Sequence, residues 1–171
     1  MRRHILFLLL GIFMAIPFRV EASYMLPYPS FMPGNRLYTV SRVIDTLKKY
    51  WYFGNISKIK YYVSLSDKYL VEAKTLFEYQ QYLLAADALV RSGDAWSQIP
   101  VYFLKAEREG KDVSLVRETL MSAALEHERV LTDLKERTPK EFVWAPEKSQ
   151  PTLIPIHEML DKTLAGIRFG L

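Results

Sequence analysis

The stretch spanning residues 57–80 constrains this chain most. Ile59, Tyr62, Val63, Ser66, Tyr69, Leu70, Ala73, Leu76 and Phe77 recur at alternating steps of three and four, which is one stripe of an amphipathic helix. Lys58, Lys60, Ser64, Asp67, Lys68, Lys74, Thr75 and Glu78 fall on the other face, where water can hold them. An isolated helix is marginal in water, so other helices must cover the stripe. The expected fold is all-α: a bundle of about five helices preceded by a proline-rich aromatic N-terminal arm.

The pattern before this helix divides into three parts. Arg2 and Arg3 precede an apolar run over 5–18, and Val20-Glu21-Ala22 offers a cleavage site; residues 1–22 therefore read as a secretory signal peptide. The run falls short of the roughly 20 apolar residues that span a bilayer, yet it serves as an anchor if it is left uncleaved. Residues 23–35 carry Pro27, Pro29 and Pro33 among Tyr24, Tyr28, Phe31 and Met32. Prolines this close forbid a helix and favour an extended arm, either laid over the core or exposed for recognition. A short helix over 37–52 follows, with Val40, Val43, Ile44, Leu47 and Trp51 expected inward and Gly54-Asn55 as stop signals.

Beyond the organising helix the apolar phase slips at Leu76, Tyr79 and Tyr82, which predicts a turn near 78–81 or one long bent helix. The segment 82–108 has small residues at Ala85, Ala86, Ala88, Ser92 and Gly93 for close helix approach, and Pro100 should kink or split it. Gly110 ends it. Asp112 is the expected N-cap of a helix to about 137, with Val113, Val116, Leu120, Ala123, Ala124, His127, Val130, Leu131 and Leu134 inward. Thus 36–138 is the helical domain, and 139–155 reads as a proline-rich surface connector without strands. Residues 156–171 hold a last helix packing back through Ile156, Met159, Leu160, Leu164 and Ile167.

Composition narrows the function. The 171 residues are 50% hydrophobic and 25% charged, enough for one globular domain. There is no cysteine, which excludes disulfides, thiolate zinc sites, cysteine nucleophiles and a lipidated-cysteine anchor. Of the net charge of +4, Arg2, Arg3 and Arg19 against Glu21 supply half, so the remainder is only weakly basic.

Residues that could carry chemistry are few. His127 sits on an apolar seam whose neighbours supply no second metal ligand, so it reads as a packed, hydrogen-bonded histidine. The glutamates from 107 to 136 alternate with lysines and arginines as on a solvated helix face. No nucleophile motif or phosphate-cradling glycine loop occurs. The chain therefore reads as a non-enzyme without metal or cofactor. An enzyme would need carboxylates converging near His127.

The aromatic cluster Tyr50-Trp51-Tyr52-Phe53 and Tyr61-Tyr62 stands among Lys48, Lys49, Lys58 and Lys60. Four consecutive aromatics cannot share one side of a helix, so some are exposed or covered by the arm. One reading is a core cluster rimmed by lysines. The other is a binding patch, with Tyr28, Phe31, Lys48, Lys49, Trp51, Tyr52, Lys58 and Tyr61 as candidate contacts. The expected partner is an envelope protein, with a membrane surface or anionic wall polymer as the alternative; nucleic acid does not fit an exported chain lacking any nucleic-acid module. The oligomeric state is left open.

The run from Pro33 to Arg42 (PGNRLYTVSR), the basic helix start Ile56-Ser57-Lys58-Ile59-Lys60 and the segment from Leu65 to Ala73 (LSDKYLVEA) together resemble a bacterial extracytoplasmic helical family of unknown function. The resemblance covers about 33–138. It implies a helical domain outside the cytoplasm behind a signal peptide or membrane anchor, and it brings no catalytic residues. Tyr69 replaces the usual basic residue, which removes a salt bridge expected in relatives. Tyr79-Gln80-Gln81 lacks the usual turn glycine, which argues against a sharp hairpin.

Overall fold

The computed structural model describes residues 24–148 and 150–169. The expected leader lies outside the described residues. In chain order the elements are α1 (Arg36–Lys48), α2 (Asn55–Glu78), α3 (Tyr82–Ser97), α4 (Ile99–Arg108), α5 (Ser114–Arg137), β1 (Phe142–Trp144), β2 (Thr152–Ile154) and α6 (Ile156–Phe169). Because α3 and α4 are halves of one segment, the architecture is an all-α bundle of about five helices.

The organising stretch forms the 24-residue α2. Its predicted stripe is buried, but Tyr61, Asp67, Val71 and Glu72 are buried as well. This corrects the expectation that Asp67 faces solvent: α2 runs through the middle of the bundle and is covered on several sides. Its closest neighbour is α3. At their crossing the Ser66 hydroxyl donates to the Ser92 carbonyl at 3.0 Å and the Ser92 hydroxyl to the Ser66 carbonyl at 2.9 Å. Ala85 and Ala88, both fully buried, keep the two backbones close.

The α2–α3 connection is a sharp turn after all. Gln80 adopts φ 59, its N–H bonds the Phe77 carbonyl, and the Gln81 N–H bonds the Leu76 carbonyl. That is a Schellman cap, normally built on glycine. The end of α4 repeats it with Gly110 at φ 68, its N–H on Glu107 and that of Lys111 on Ala106. The glycine-free turn therefore exists, and its cost falls on Gln80.

Pro100 splits its segment at Gln98, and α4 restarts with the proline in its first turn, where no N–H is needed. All the residues expected inward on α5 are buried. Asp112 is not the N-cap expected of it: Val113 takes that place without a side-chain hydrogen bond, and the Asp112 Oδ1 accepts from the Ser114 N–H at 3.0 Å from one residue further out. The C-terminal helix α6 packs on α3 and α5, burying Ile156, Leu160 and Ile167.

Two expectations are corrected. The connector contains strands: β1 and β2 pair antiparallel, Val143 opposite Leu153. They are only three residues each, too short for alternation to register, and Pro146 and Pro151 stand in the loop that joins them. Phe142 meets the Tyr82 ring at 4.8 Å, which docks this sheet on the bundle. The second correction is larger. Helix α1 ends at Lys48, not near 52, and Val40, Val43, Ile44, Leu47 and Trp51 are exposed instead of inward. Nor do Gly54 and Asn55 stop this helix; Gly54 is the N-cap of α2.

Replacing Gln80 by Gly should raise stability by about 0.5–1 kcal/mol, and Gly110→Ala should lower it by at least as much. Urea midpoints of the two variants measure both changes; an unchanged midpoint for Gln80→Gly would mean that the turn carries no strain.

Candidate functional site

Helix α1 starts cleanly: the Asn35 side chain caps it by accepting from the Leu37 N–H at 2.9 Å. What it presents to the bundle is a polar ridge of Tyr38, Ser41 and Asp45. The Tyr38 hydroxyl donates to Glu72 Oε1 at 2.7 Å, and Arg91 of α3 reaches both, with 2.8 Å to the Tyr38 oxygen and 3.0 Å to Glu72. Burial opposes the Arg91 charge, yet the Tyr38 hydrogen bond and the Glu72 carboxylate hold its pKa above the ordinary guanidinium value. One turn on, Lys68 donates to the Ser41 hydroxyl at 2.9 Å and pairs with the buried Asp45 carboxylate. The Tyr61 hydroxyl donates to the Asp45 carbonyl at 2.8 Å. Among the described residues, Asp45 is the only buried residue of α1.

With the polar side turned inward, the apolar side faces water. Leu37, Val40, Ile44 and Leu47 lie at steps of three, four and three, and each is about half exposed, from 46% to 51%. Val43 widens the stripe, and just past the helix end Tyr50, Trp51 and Phe53 are 72%, 71% and 79% exposed. A contiguous set of exposed apolar side chains of this kind marks an interaction surface. Cations stand beside it, Arg36 at its start, Lys48 on one flank and Lys49 beyond, all exposed; Arg42 lies on the other side of the helix, its guanidinium 5.9 Å over the Tyr38 ring.

The candidate contacts fall into three groups. Tyr28, Lys48, Tyr52 and Tyr61 line one cleft of about 180 Å³ together with Asp45 and Lys68, which brings arm and α1 together. Lys49 and Trp51 belong to the exposed tip, and Phe31 of the arm is exposed as well. Lys58 stands apart, its ammonium 5.1 Å over the Tyr102 ring. Tyr61 must be corrected as a contact, since it is only 6% exposed. It forms part of a chain of rings, Tyr52–Tyr61–Tyr62–Tyr102, buried in the middle and partly exposed at its two ends, with centroids 5.0–5.4 Å apart. Tyr61 and Tyr62 thus belong to the core, whereas Tyr50, Trp51 and Phe53 are exposed. Sequence reasoning missed Leu37, Val40, Val43, Ile44 and Leu47 as surface residues; the available signal was the set of polar residues on the face of α2 that meets α1.

His127 is fully buried, and its Nε2 lies 2.7 Å from Asp67 Oδ1. The other Asp67 oxygen accepts the Tyr24 hydroxyl, which ties the arm across α2. The His127 ring lies against Trp96, centroids 4.8 Å apart. This is the hydrogen-bonded core histidine read from the sequence. His157 is elsewhere, its Nε2 3.0 Å from the Thr138 carbonyl. Among the described residues no group of three His, Asp or Glu side chains converges as a metal site would require, and no helix is long and apolar enough to cross a membrane.

Compared with family models, curated proteins and solved structures, the chain matches none.

Several tyrosines in this network hold their protons tightly. Burial and then the Asp67 hydrogen bond push the Tyr24 phenol well above its usual value. Burial also raises Tyr38, Tyr61 and Tyr69, and pushes Tyr62 up to about 12 with help from Tyr102. The unfolded chain releases these protons near pH 10, so stability is at its full value below that and falls as pH rises beyond it. Urea midpoints should hold from pH 7 to 9 and drop by pH 11, with a shallower drop for Tyr24→Phe; a midpoint unmoved at pH 11 would contradict this.

Proposed function

We propose that this chain is a non-enzymatic module of the bacterial envelope that works by binding, and that its working surface is the outward face of α1 with its aromatic tip. The address rests on the sequence: Arg2 and Arg3, the apolar run over 5–18 and Val20-Glu21-Ala22 form an export leader. The resemblance to the uncharacterised extracytoplasmic helical family agrees with that address.

One observation carries the binding role. A helix of 13 residues is fixed to the bundle by hydrogen bonds and ion pairs while Leu37, Val40, Ile44 and Leu47 are left in water. Turning the helix over would bury these side chains, each worth about 1.5–3 kcal/mol when fully covered. The polar ridge forbids that rotation, because Glu72, Asp45 and Lys68 would lose their partners inside the fold. The exposed seam is therefore a fixed feature of the folded chain, with the spacing and width of a contact surface.

A photoreactive group placed at Leu47 of the full chain, expressed in its own host, should give a specific adduct. The double variant Val40→Asp, Leu47→Asp should lose that adduct while keeping its unfolding midpoint within about 0.5 kcal/mol, since both side chains face solvent. An adduct of undiminished yield in the double variant would refute the working surface.

A further inference from the structure

Resting on that reading, we infer that the occupant of the α1 face is an anionic lipid surface, on which the helix lies flat with the rings of Tyr50, Trp51 and Phe53 at the headgroup level. Three observations select this partner over the others that an apolar face might take.

The first is charge. Arg36 and Lys48 flank the apolar stripe, Lys49 stands just past the helix end, and all three are exposed. The only carboxylate of α1, Asp45, is turned inward and neutralised by Lys68. The rim is thus uniformly positive toward the outside. A second copy of the chain docking face to face would set these cations against their own kind. The apolar run over 5–18 of the same chain is preceded by Arg2 and Arg3 and contains no acid, so it offers nothing to the rim either. An anionic surface satisfies both the rim and the stripe.

The second is shape. The stripe lies on the outer side of a single helix that meets the bundle only by its opposite ridge. A single helix seen from outside is a cylindrical ridge about 10–12 Å across. A plane of headgroups and acyl chains can take such a ridge, burying it by about 5–10 Å.

The third is the kind of residue at the tip. Tyr and Trp carry an apolar body and a polar edge, the combination enriched where lipid meets water.

The test uses the full chain with vesicles whose acyl chains are brominated, composed of phosphatidylcholine alone or with a minority of phosphatidylglycerol. An inserted leader would hold the chain on either vesicle, so the readout is the position of Trp51: quenching of its fluorescence after subtracting that of Trp51→Phe, which leaves Trp96 and Trp144. Strong quenching is expected with phosphatidylglycerol. It should fall about tenfold in high salt or in the variant with Arg36, Lys48 and Lys49 all changed to Gln. Changing Arg36 to Lys and Lys48 and Lys49 to Arg should preserve it, which separates charge from folding. Equal quenching on both vesicles, or none on either, overturns the inference. If Trp51 is unquenched while the Leu47 adduct in cells is a defined acidic protein, the lipid assignment is wrong and the working surface stands. If Val40→Asp with Leu47→Asp alters neither quenching nor adduct, both are wrong.

Discussion

Polar side chains buried along the middle of α2 fix what can pack around it. Ser66, Asp67 and Glu72 are all buried, and Lys68 nearly so. A buried polar group without a partner costs about 1–3 kcal/mol, more when it is charged. Each of these residues therefore selects a neighbour that can answer it. Ser66 is met by Ser92 of α3, Asp67 by His127 of α5 and Tyr24 of the arm, Lys68 by Ser41 and Asp45 of α1, and Glu72 by Tyr38 of α1 and Arg91 of α3. Apolar burial supplies the driving force for the bundle, but it is indifferent to which stripe meets which. The polar pairs remove that degeneracy, giving α2 a different complement on each of its sides.

Helix α1 shows what this costs. Its sequence is amphipathic in the ordinary sense, and hydrophobic burial alone would turn Val40, Ile44 and Leu47 onto the bundle. The part of α2 available to it, however, presents Lys68 and Glu72. Against that surface an apolar stripe would strand the Lys68 charge and leave Glu72 with Arg91 alone, whereas Tyr38, Ser41 and Asp45 complete both. The larger penalty decides the orientation, and the apolar face is left outward. Tyr69 belongs to the same balance. Its ring lies 4.9 Å from the Arg91 guanidinium; the cation that completes the cluster comes from α3.

This separates what could be read from sequence from what could not. Periodicity located α2, α5 and α6, and it named every inward residue of α5, because those helices bury apolar stripes and the pattern reports the burial. It also read His127 as a packed, hydrogen-bonded residue from its apolar seam. Periodicity reports a stripe without saying what faces it, so the same rule turned α1 the wrong way round. The strands at Phe142 and Thr152 were hidden because three residues carry no measurable alternation. The turn at Gln80 was legible as a slip in phase, while its sharpness depended on a glutamine accepting a left-handed conformation. For the candidate surface, Tyr28, Lys48 and Trp51 came from composition, and the seam between them needed the fold.

The way α1 is held also bears on how it acts. A helix fastened by a core stripe gains stability with every apolar contact, but one fastened by hydrogen bonds gains only about 0.5–1.5 kcal/mol net from each. With 13 residues, α1 is near the length at which an isolated helix is marginal. Its order in the free chain therefore rests on a few polar tethers and the Asn35 cap. Any partner that covers the outer face adds the missing apolar burial to the same helix, so binding and ordering reinforce each other by simple linkage. The arm leading into α1 is itself tied through Tyr24 to Asp67 in the middle of α2, where His127 of α5 meets the same carboxylate. Weakening the buried tethers of α1 should therefore weaken the surface they present.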